Sequence, residues 1–281
     1  MKTILLPTDF SKNSINAINY AVELYKNESC IFYILNVQKA SSFISDDMMV
    51  VNASATIYNT IVDAAKKSIN NIIVKMKKHY NNDKHQFIAI VDYDNFIDSI
   101  NQVSSKYNVD LIIMGTKGAS GLTKMFFGSN TVKVIQRSNI PVLAIPEACK
   151  FDGLEAVGFT TSFKNLYRKE DFKQVKEIIS LNNSKVHILH ALCEQDFADE
   201  LDKSIDLLKQ IFKYPVFDYL VVKNNNVYET LHEFTLTNNI KLIAMLVDKH
   251  TFFERLFNTH TFETIAFNAE MPFLAMKKSE D

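Results

Sequence analysis

GTKGASGLTKMFFGS is the sequence from Gly115 to Ser129, and it holds four of the six glycines in this chain of 281 residues. At the average usage of about 7%, a chain of this length would contain roughly twenty glycines. Glycine is favoured where the backbone takes a positive φ or approaches a ligand closely, and it costs chain entropy elsewhere. Four glycines in one short segment therefore predict a loop of specialised geometry, termed here the glycine loop.

The flanks of the glycine loop predict a strand before it and a helix after it. Residues 109–114 form a short apolar run, which is typical of a buried strand. Ser129 is expected to cap a helix that continues through residues 130–135. A loop that ends at a helix N-terminus favours an anion, most often phosphate, because N–H groups and the helix dipole point at it. The spacing G-x2-G-x9-G-S is neither a Walker loop nor the dinucleotide fingerprint.

Outward from this loop, strands and helices are predicted to alternate. The predicted strands of the first half are residues 3–7, 30–37, 86–92, 109–114 and 140–146, with helices between them. Such alternation predicts an α/β fold with a doubly wound parallel sheet, which binds ligands beyond the carboxyl ends of its strands. Asp9 or Ser11 is expected to cap the first helix, and the polar residues 38–53 to form a loop over the site.

The pattern begins again near residue 154 and predicts five further strands. A shift of 131 residues places Pro141 on Pro272, Met114 on Met245 and Ile113 on Ala244 without a gap. This is an internal duplication at the scale of a domain. We therefore predict two five-stranded α/β domains in tandem, over residues 1–147 and 154–281.

The same shift indicates that the second copy has lost the glycine loop. Its counterparts of Gly115, Gly118, Gly121, Gly128 and Ser129 are Leu246, Lys249, Phe252, Thr259 and His260. Thr161 is predicted at the position of Asp9. Because bulky side chains replace the glycines, the second domain is not expected to bind phosphate in this way.

Composition excludes several classes of protein. The net charge is −1, so no overall field attracts nucleic acid or a membrane surface. The start of the chain lacks a signal-peptide pattern, and no apolar run reaches the roughly 20 residues of a membrane span. Cys30, Cys149 and Cys193 are too few and scattered for a disulfide framework and are expected to be buried thiols. We expect a cytoplasmic protein.

The glycine loop, with a hydroxyl directly after its last glycine, resembles the ATP-binding class of the universal stress protein family. Pro7-Thr8-Asp9 is similar to the end of the family's first strand, and the likeness covers residues 1–147 and, more faintly, 155–277. It implies Rossmann-like domains of the adenine nucleotide alpha hydrolase-like kind, with ATP and Mg²⁺ bound in the first. The site residues that it implies are Pro7, Thr8, Asp9, Val37, Met114, Gly115, Lys117, Gly118, Gly128, Ser129, Asn130 and Thr131.

The resemblance also implies roles and partners. Asp9 would face the ribose, the Val37 backbone and Met114 the adenine, and the glycine loop with Lys117 the phosphates. Residues 142–145 and 273–276 are expected to pair within the chain, as two domains pair in family dimers. A homodimer and an unknown protein partner are left open.

One departure and two alternatives accompany this interpretation. Where the family usually has a glycine after its third strand, this chain has Asp92 and Asp94, which are expected to form a turn and a helix cap. No general base or attacking group is evident, so we expect a regulatory binding module rather than an enzyme. A slow ATPase or adenylyl transferase, and a nucleotide-free interaction scaffold, are the alternatives.

Overall fold

The structure is a computed structural model of the whole chain. It describes residues 1–38, 50–116, 128–160, 167–191, 198–220, 227–247 and 271–278. The structural statements below concern these residues. Among the predicted features, Lys117, Gly118, Thr161 and Cys193 lie outside them.

The first half alternates strands and helices along the chain. Its elements are β1 (Lys2–Pro7), α1 (Lys12–Leu24), β2 (Cys30–Gln38), α2 (Val50–Tyr80), β3 (His85–Tyr93), α3 (Phe96–Lys106), β4 (Leu111–Gly115), α4 (Ser129–Arg137) and β5 (Val142–Ile145). The five predicted strands are all present here, with ends that differ by at most two residues. The apolar runs were sufficient to locate them because strands covered on both faces carry few polar residues.

The second half repeats this alternation. Its elements are β6 (Ala156–Thr160), a 3₁₀ turn (Lys169–Phe172), α5 (Lys173–Asn182), β7 (Lys185–Ala191), α6 (Ala198–Ile211), β8 (Val216–Leu220), α7 (Val227–Thr237), β9 (Ile240–Val247) and β10 (Phe273–Lys277). The 3₁₀ turn precedes α5 directly, and the Asp171 carboxylate accepts from the Arg168 backbone N–H and closes this tight first turn.

The long helix α2 begins earlier than the sequence analysis expected. It starts at Val50, so residues 50–53 at the end of the predicted loop of residues 38–53 are helical instead. The loop was predicted because the segment as a whole is polar, but its last four residues, Val-Val-Asn-Ala, are mostly apolar. These four residues contain no glycine or proline, so nothing in them opposes a helix that is already established further along.

The ten strands of the described residues form one sheet in the order β3-β2-β1-β4-β5-β10-β9-β6-β7-β8. Neighbouring strands are parallel, with one exception at the centre. There β10 runs antiparallel to β5, with Leu274 opposite Leu143. Each half therefore supplies five strands in the same relative order, and the two halves meet edge to edge.

Strand registers allow the internal repeat to be checked position by position. Ile113 lies beside Leu143 in the first half, and Ala244 lies beside Leu274 in the second. Both members of the second pair follow the first by 131 residues, which is the shift found in the sequence. The register thus supports the alignment of Gly115 with Leu246.

The predicted equivalence of Thr161 with Asp9 lies outside the described residues. Within them, Leu5 lies beside Ile112 and Gly158 lies beside Ile243, so Leu5 and Gly158 hold equivalent positions in β1 and β6.

Helices cover both faces of the sheet, and each face has its own apolar core. One face is packed by α1, α2, α5 and α6, and its core includes Tyr25, Phe32, Phe159 and Phe172. The other face is packed by α3 and α4, with Phe234 of α7 at its margin. Each core contains buried residues from both halves, so the apolar interior continues across the junction.

A polar cluster also joins the halves, at the amino-terminal end of β1. Lys2 Nζ donates to Gln174 Oε1 at 3.1 Å and pairs with the Glu177 carboxylate. Gln174 Nε2 donates in turn to the Tyr25 hydroxyl at 3.2 Å. Burial raises the pKa of Tyr25 well above its usual value, so this hydroxyl stays protonated. The cluster holds α5 of the second half against α1 of the first.

The two described cysteines differ in burial. Cys30 is buried and Cys149 is half-buried, and both are free thiols. Burial, together with the nearby Glu28 and Glu177 carboxylates, raises the pKa of the Cys30 thiol to about 12. The prediction of a buried thiol is therefore confirmed for Cys30 and only partly for Cys149.

We expect Cys30 to resist alkylation by iodoacetamide at about pH 8 while the protein is folded, because the reactive species is the thiolate. Mass spectrometry of digested protein would quantify the modified peptide, and the same reaction in guanidinium chloride gives the fully reactive reference. Equal labelling of Cys30 in the folded and unfolded protein would contradict the expectation.

Candidate functional site

The candidate site lies where the carboxyl ends of β1 and β4 meet. The chain leaves β1 to form β2 on one side of it and later returns as β4 on the other side. This reversal is a topological switch point, where open α/β sheets form their ligand crevice. Because β1 ends at Pro7 and β4 ends at Gly115, the segments that follow them leave the sheet side by side.

The segment after β1 is shaped by capping of α1. Ser11 is the N-cap, and its hydroxyl accepts from the Ser14 N–H at 3.2 Å. Asp9 Oδ1 accepts from the Ser11 N–H at 3.0 Å. Phe10, between them, has a φ of 65°, a left-handed conformation that is uncommon outside glycine and asparagine. Of the two predicted caps, Ser11 is the correct one.

Asp9 presents an exposed, ionised carboxylate at the crevice. Partial desolvation would raise its pKa, but hydrogen bonds from the Ser11 side chain and backbone, with a further one from Ser14, outweigh that effect. The pKa of Asp9 therefore lies below its usual value. At neutral pH the group is an acceptor only, which suits hydroxyl donors such as those of a ribose.

Thr8 and Pro7 support the site from beneath. Thr8 is buried, and its hydroxyl lies 2.9 Å from Ser14 Oγ and accepts from the Phe10 N–H at 3.0 Å. Its backbone N–H donates to the Leu35 carbonyl at 2.8 Å. The Thr8 side chain is thus committed to holding the loop after β1, which carries Asp9.

Gly115, at the end of β4, is in close contact with α1. A Cβ atom at this position would lie 2.6 Å from Asn13 Oδ1 and 2.8 Å from the Asn13 carbonyl oxygen. These distances are shorter than real Cβ contacts, so only glycine fits. Asn13 Oδ1 is buried and has no hydrogen-bond partner among the described residues. Asn13 was not among the predicted site residues, because nothing in the sequence places it against Gly115.

The first turn of α4 returns to the same point. Thr131 is buried, and its hydroxyl donates to the Gly115 carbonyl at 3.3 Å. Met114 is buried within the core on the α3 and α4 face. Gly115 is therefore contacted by the first turns of both α1 and α4. Thr131 and Met114 shape the crevice from within the fold.

The N-cap of α4 is Gly128, and the predicted cap Ser129 is the first helical residue instead. Ser129 was predicted because a hydroxyl side chain is a favoured N-cap, but the helix begins one residue earlier than that prediction requires. Gly128 has no side chain, so no side-chain hydrogen bond caps this helix. Ser129 and Asn130 are exposed in its first turn. This N-terminus is accessible to an anionic ligand.

The end of β2 contributes Val37, which is half-buried, and a buried polar residue that the sequence analysis missed. Asn36 Nδ2 donates to the Thr8 carbonyl at 2.7 Å, and Asn36 Oδ1 accepts from Gln38 Nε2 at 2.5 Å. Asn36 thereby ties the end of β2 to the loop after β1. The sequence does carry an indication of this role, because Asn36 is the one polar side chain within an apolar run that forms a buried strand.

The two aspartates after β3 form local turns. Asp92 accepts from the Tyr93 N–H at 2.8 Å, and Asp94 accepts from the Asn95 N–H at 2.7 Å. The cap of α3 is Asn95, which accepts from the Ile97 N–H. The predicted turn is thus confirmed, and the predicted cap belongs to the next residue. Among the described residues, no cluster of His, Cys, Asp or Glu could hold a metal ion.

The second half lacks the close approach seen at Gly115. Leu246 holds the equivalent position in β9, and its half-buried side chain packs against the core on the α1 face. His190 is buried in β7. The other counterparts of the glycine loop lie outside the described residues.

No helix within the described ranges combines the length and apolar character needed to cross a membrane.

The chain is similar in sequence and in fold to known universal stress proteins. A universal stress protein of Methanocaldococcus jannaschii is 25% identical over 150 residues, which cover 53% of this chain and 84% of the relative. A second universal stress protein of that organism is 25% identical over 157 residues, which cover 51% of this chain and 94% of the relative. The crystal structure of a universal stress protein from Archaeoglobus fulgidus shares the fold of the whole chain, with a TM-score of 0.68, 17% identity, and coverage of 99% and 98% of the two chains. The family model described as universal stress protein family matches residues 1–146, and this chain belongs to that family.

Proposed function

We propose that this universal stress protein is a regulatory, stress-response module that binds ATP in its first domain, residues 1–147. Its second domain, residues 154–281, is proposed to bind no nucleotide and to act as the intramolecular partner of the first. The protein would work in the cytoplasm. It would bind another protein, whose identity is unknown. Two copies of the chain would also assemble into a homodimer.

The observation that carries this proposal is the meeting of two helix N-termini at Gly115. Asn13 in the first turn of α1 contacts Gly115, and Thr131 in the first turn of α4 donates to its carbonyl. Each N-terminus carries a partial positive charge and N–H groups without intrahelical partners. Two such ends at one crevice favour a polyanion such as a triphosphate.

The remaining groups fit the other parts of ATP. Asp9 is an exposed acceptor for ribose hydroxyls, and the end of β2 at Val37 offers backbone groups for the base. Phosphates would lie along Gly118, Lys117 and the first turn of α4, at Gly128, Ser129 and Asn130. Mg²⁺ would arrive on the triphosphate, since the described residues offer no metal site of their own.

We infer that the protein binds ATP without rapid turnover. Asp9 presents its carboxylate at the crevice, and the lowered pKa of this group makes it a weak proton acceptor at neutral pH. Phosphate release from excess ATP would reveal any hydrolysis. Sustained release at several turnovers a minute would contradict a regulatory role and favour a slow ATPase.

Isothermal titration with Mg²⁺ and ATP tests the binding site. We expect one ATP per chain, and a dissociation constant about tenfold higher in Asp9→Asn, because a hydrogen bond to a charged acceptor contributes roughly 1.5–3 kcal/mol. Asparagine keeps an oxygen for the Ser11 N–H, so the loop after β1 should retain its shape.

Asp94→Asn is the matched control, since Asp94 is an exposed carboxylate at the same edge of the sheet. It should bind ATP as the wild type does. Equal weakening in both variants would indicate a general charge effect rather than a contact with Asp9. Absence of ATP binding in the wild type would refute the proposal and favour a nucleotide-free interaction scaffold.

A further inference from the structure

A chain of hydrogen bonds leads from the loop after β1 to the outer end of β2. The Thr8 carbonyl accepts from Asn36 Nδ2 at 2.7 Å, and Asn36 Oδ1 accepts from Gln38 Nε2 at 2.5 Å. Asn36 is buried and Gln38 is half-buried. The chain thus begins inside the fold and ends at the surface of the crevice.

The direction of this chain is set by its buried end. A carbonyl oxygen can only accept, so the Asn36 atom beside Thr8 is its nitrogen. The other Asn36 amide atom is then an acceptor, and Gln38 must present its nitrogen to it. Within the described part of the chain, Gln38 Oε1 is left without a donor. The Gln38 amide is thereby held with its oxygen free for a donor from outside.

The position of Gln38 suits contact with a base. The proposed phosphate site lies between the carboxyl end of β4 and the N-terminus of α4. In the sheet, β2 is two strands away from β4. Strands are spaced by about 4.8 Å, so this separation is roughly 10 Å. A nucleoside triphosphate that spans the crevice past Asp9 would bring its base to the end of β2.

We propose that Gln38 selects adenine over guanine, an inference that rests on the proposed nucleotide site. The 6-amino group of adenine would donate to Gln38 Oε1. Guanine carries a carbonyl oxygen at that position, and two acceptors would then face each other. Rotation of the Gln38 amide cannot relieve this conflict without breaking its bond to Asn36. Asn36 is the positioning residue, because it acts on the base only through Gln38.

Titrations of ATP and GTP, each with Mg²⁺, test the assignment. In the wild type we expect ATP to bind at least tenfold more tightly than GTP. In Gln38→Met, which keeps the side-chain length without an acceptor, the ratio should fall to about threefold or less. In Asn36→Leu the freed Gln38 amide can turn its nitrogen outward, and the ratio should fall similarly. A purely structural role of Asn36 would weaken both nucleotides equally and leave the ratio unchanged.

Gln86→Met is the matched control, since Gln86 is exposed at the opposite end of the neighbouring strand β3, and its ratio should equal that of the wild type. Thermal unfolding of each variant establishes that it is folded. If Asn36→Leu does not fold, the nucleotide ratio of Gln38→Met tests the assignment by itself. If Gln38→Met binds ATP and keeps the wild-type ratio of ATP to GTP affinity, the role of Gln38 is overturned and the proposed function stands. Equal affinities of the wild type for ATP and GTP would have the same meaning. If the wild type binds neither ATP nor GTP, both the proposed function and the role of Gln38 are overturned.

Discussion

Phe273→Ala should lower the free energy of unfolding by about 3–5 kcal/mol, the usual effect of removing a buried phenylalanine side chain. Phe273 has no exposed surface, and it begins β10 between Ala144 of β5 and Ile243 of β9. The cavity would therefore open at the junction, where the two halves share a core. Denaturation in guanidinium chloride, followed by circular dichroism, measures the loss.

Tyr214→Ala is the control for this variant. Tyr214 is a large aromatic residue with 84% of its surface exposed, so its removal should change stability by less than about 0.5 kcal/mol. Because β5 pairs with β10, we also expect the first half to lose protection from hydrogen exchange in Phe273→Ala. Loss confined to the second half would show that the halves unfold separately.

Gly115→Ala should destabilise the protein by about 1–3 kcal/mol and weaken ATP binding at least tenfold. A single added methyl group would lie 2.6 Å from Asn13 Oδ1 and 2.8 Å from the Asn13 carbonyl oxygen. The added atom forces α1 and β4 apart, as in other overpacked sites. That displacement moves the two helix N-termini that would bind the triphosphate. Thermal unfolding and isothermal titration measure the two effects.

Asn13→Ala provides the test of this cause. By itself it removes a buried acceptor that has no partner in the described part of the chain, so stability should stay within about 1 kcal/mol of the wild type. Combined with Gly115→Ala, it should restore part of the lost stability, because the side-chain contact disappears while the contact with the Asn13 carbonyl remains. Strictly additive effects of the two changes would exclude the proposed collision.

Local patterns were enough to predict the α/β class and the positions of the strands. The runs that became β2 and β4 are almost wholly apolar, and burial on both faces of a parallel sheet requires such runs. The duplication was visible because both copies kept the same order of elements. Ser11 could be named as a candidate cap, since capping depends on a few neighbouring residues.

Details that depend on contacts between distant residues could not be predicted in this way. The cap of α4 moved from Ser129 to Gly128, and α2 gained a turn at Val50. Helix ends and strand registers respond to packing, which a local pattern does not report.

The sequence by itself determined the fold class, the two copies, and the glycine loop with Asp9 as the candidate site. Each of these depends on residue types and spacings within one segment or its repeat. Only the tertiary structure brought Asn13 against Gly115 and connected Gln38, through Asn36, to Thr8. Those contacts join segments separated by many residues, and their geometry follows from how strands and helices pack together rather than from any local preference.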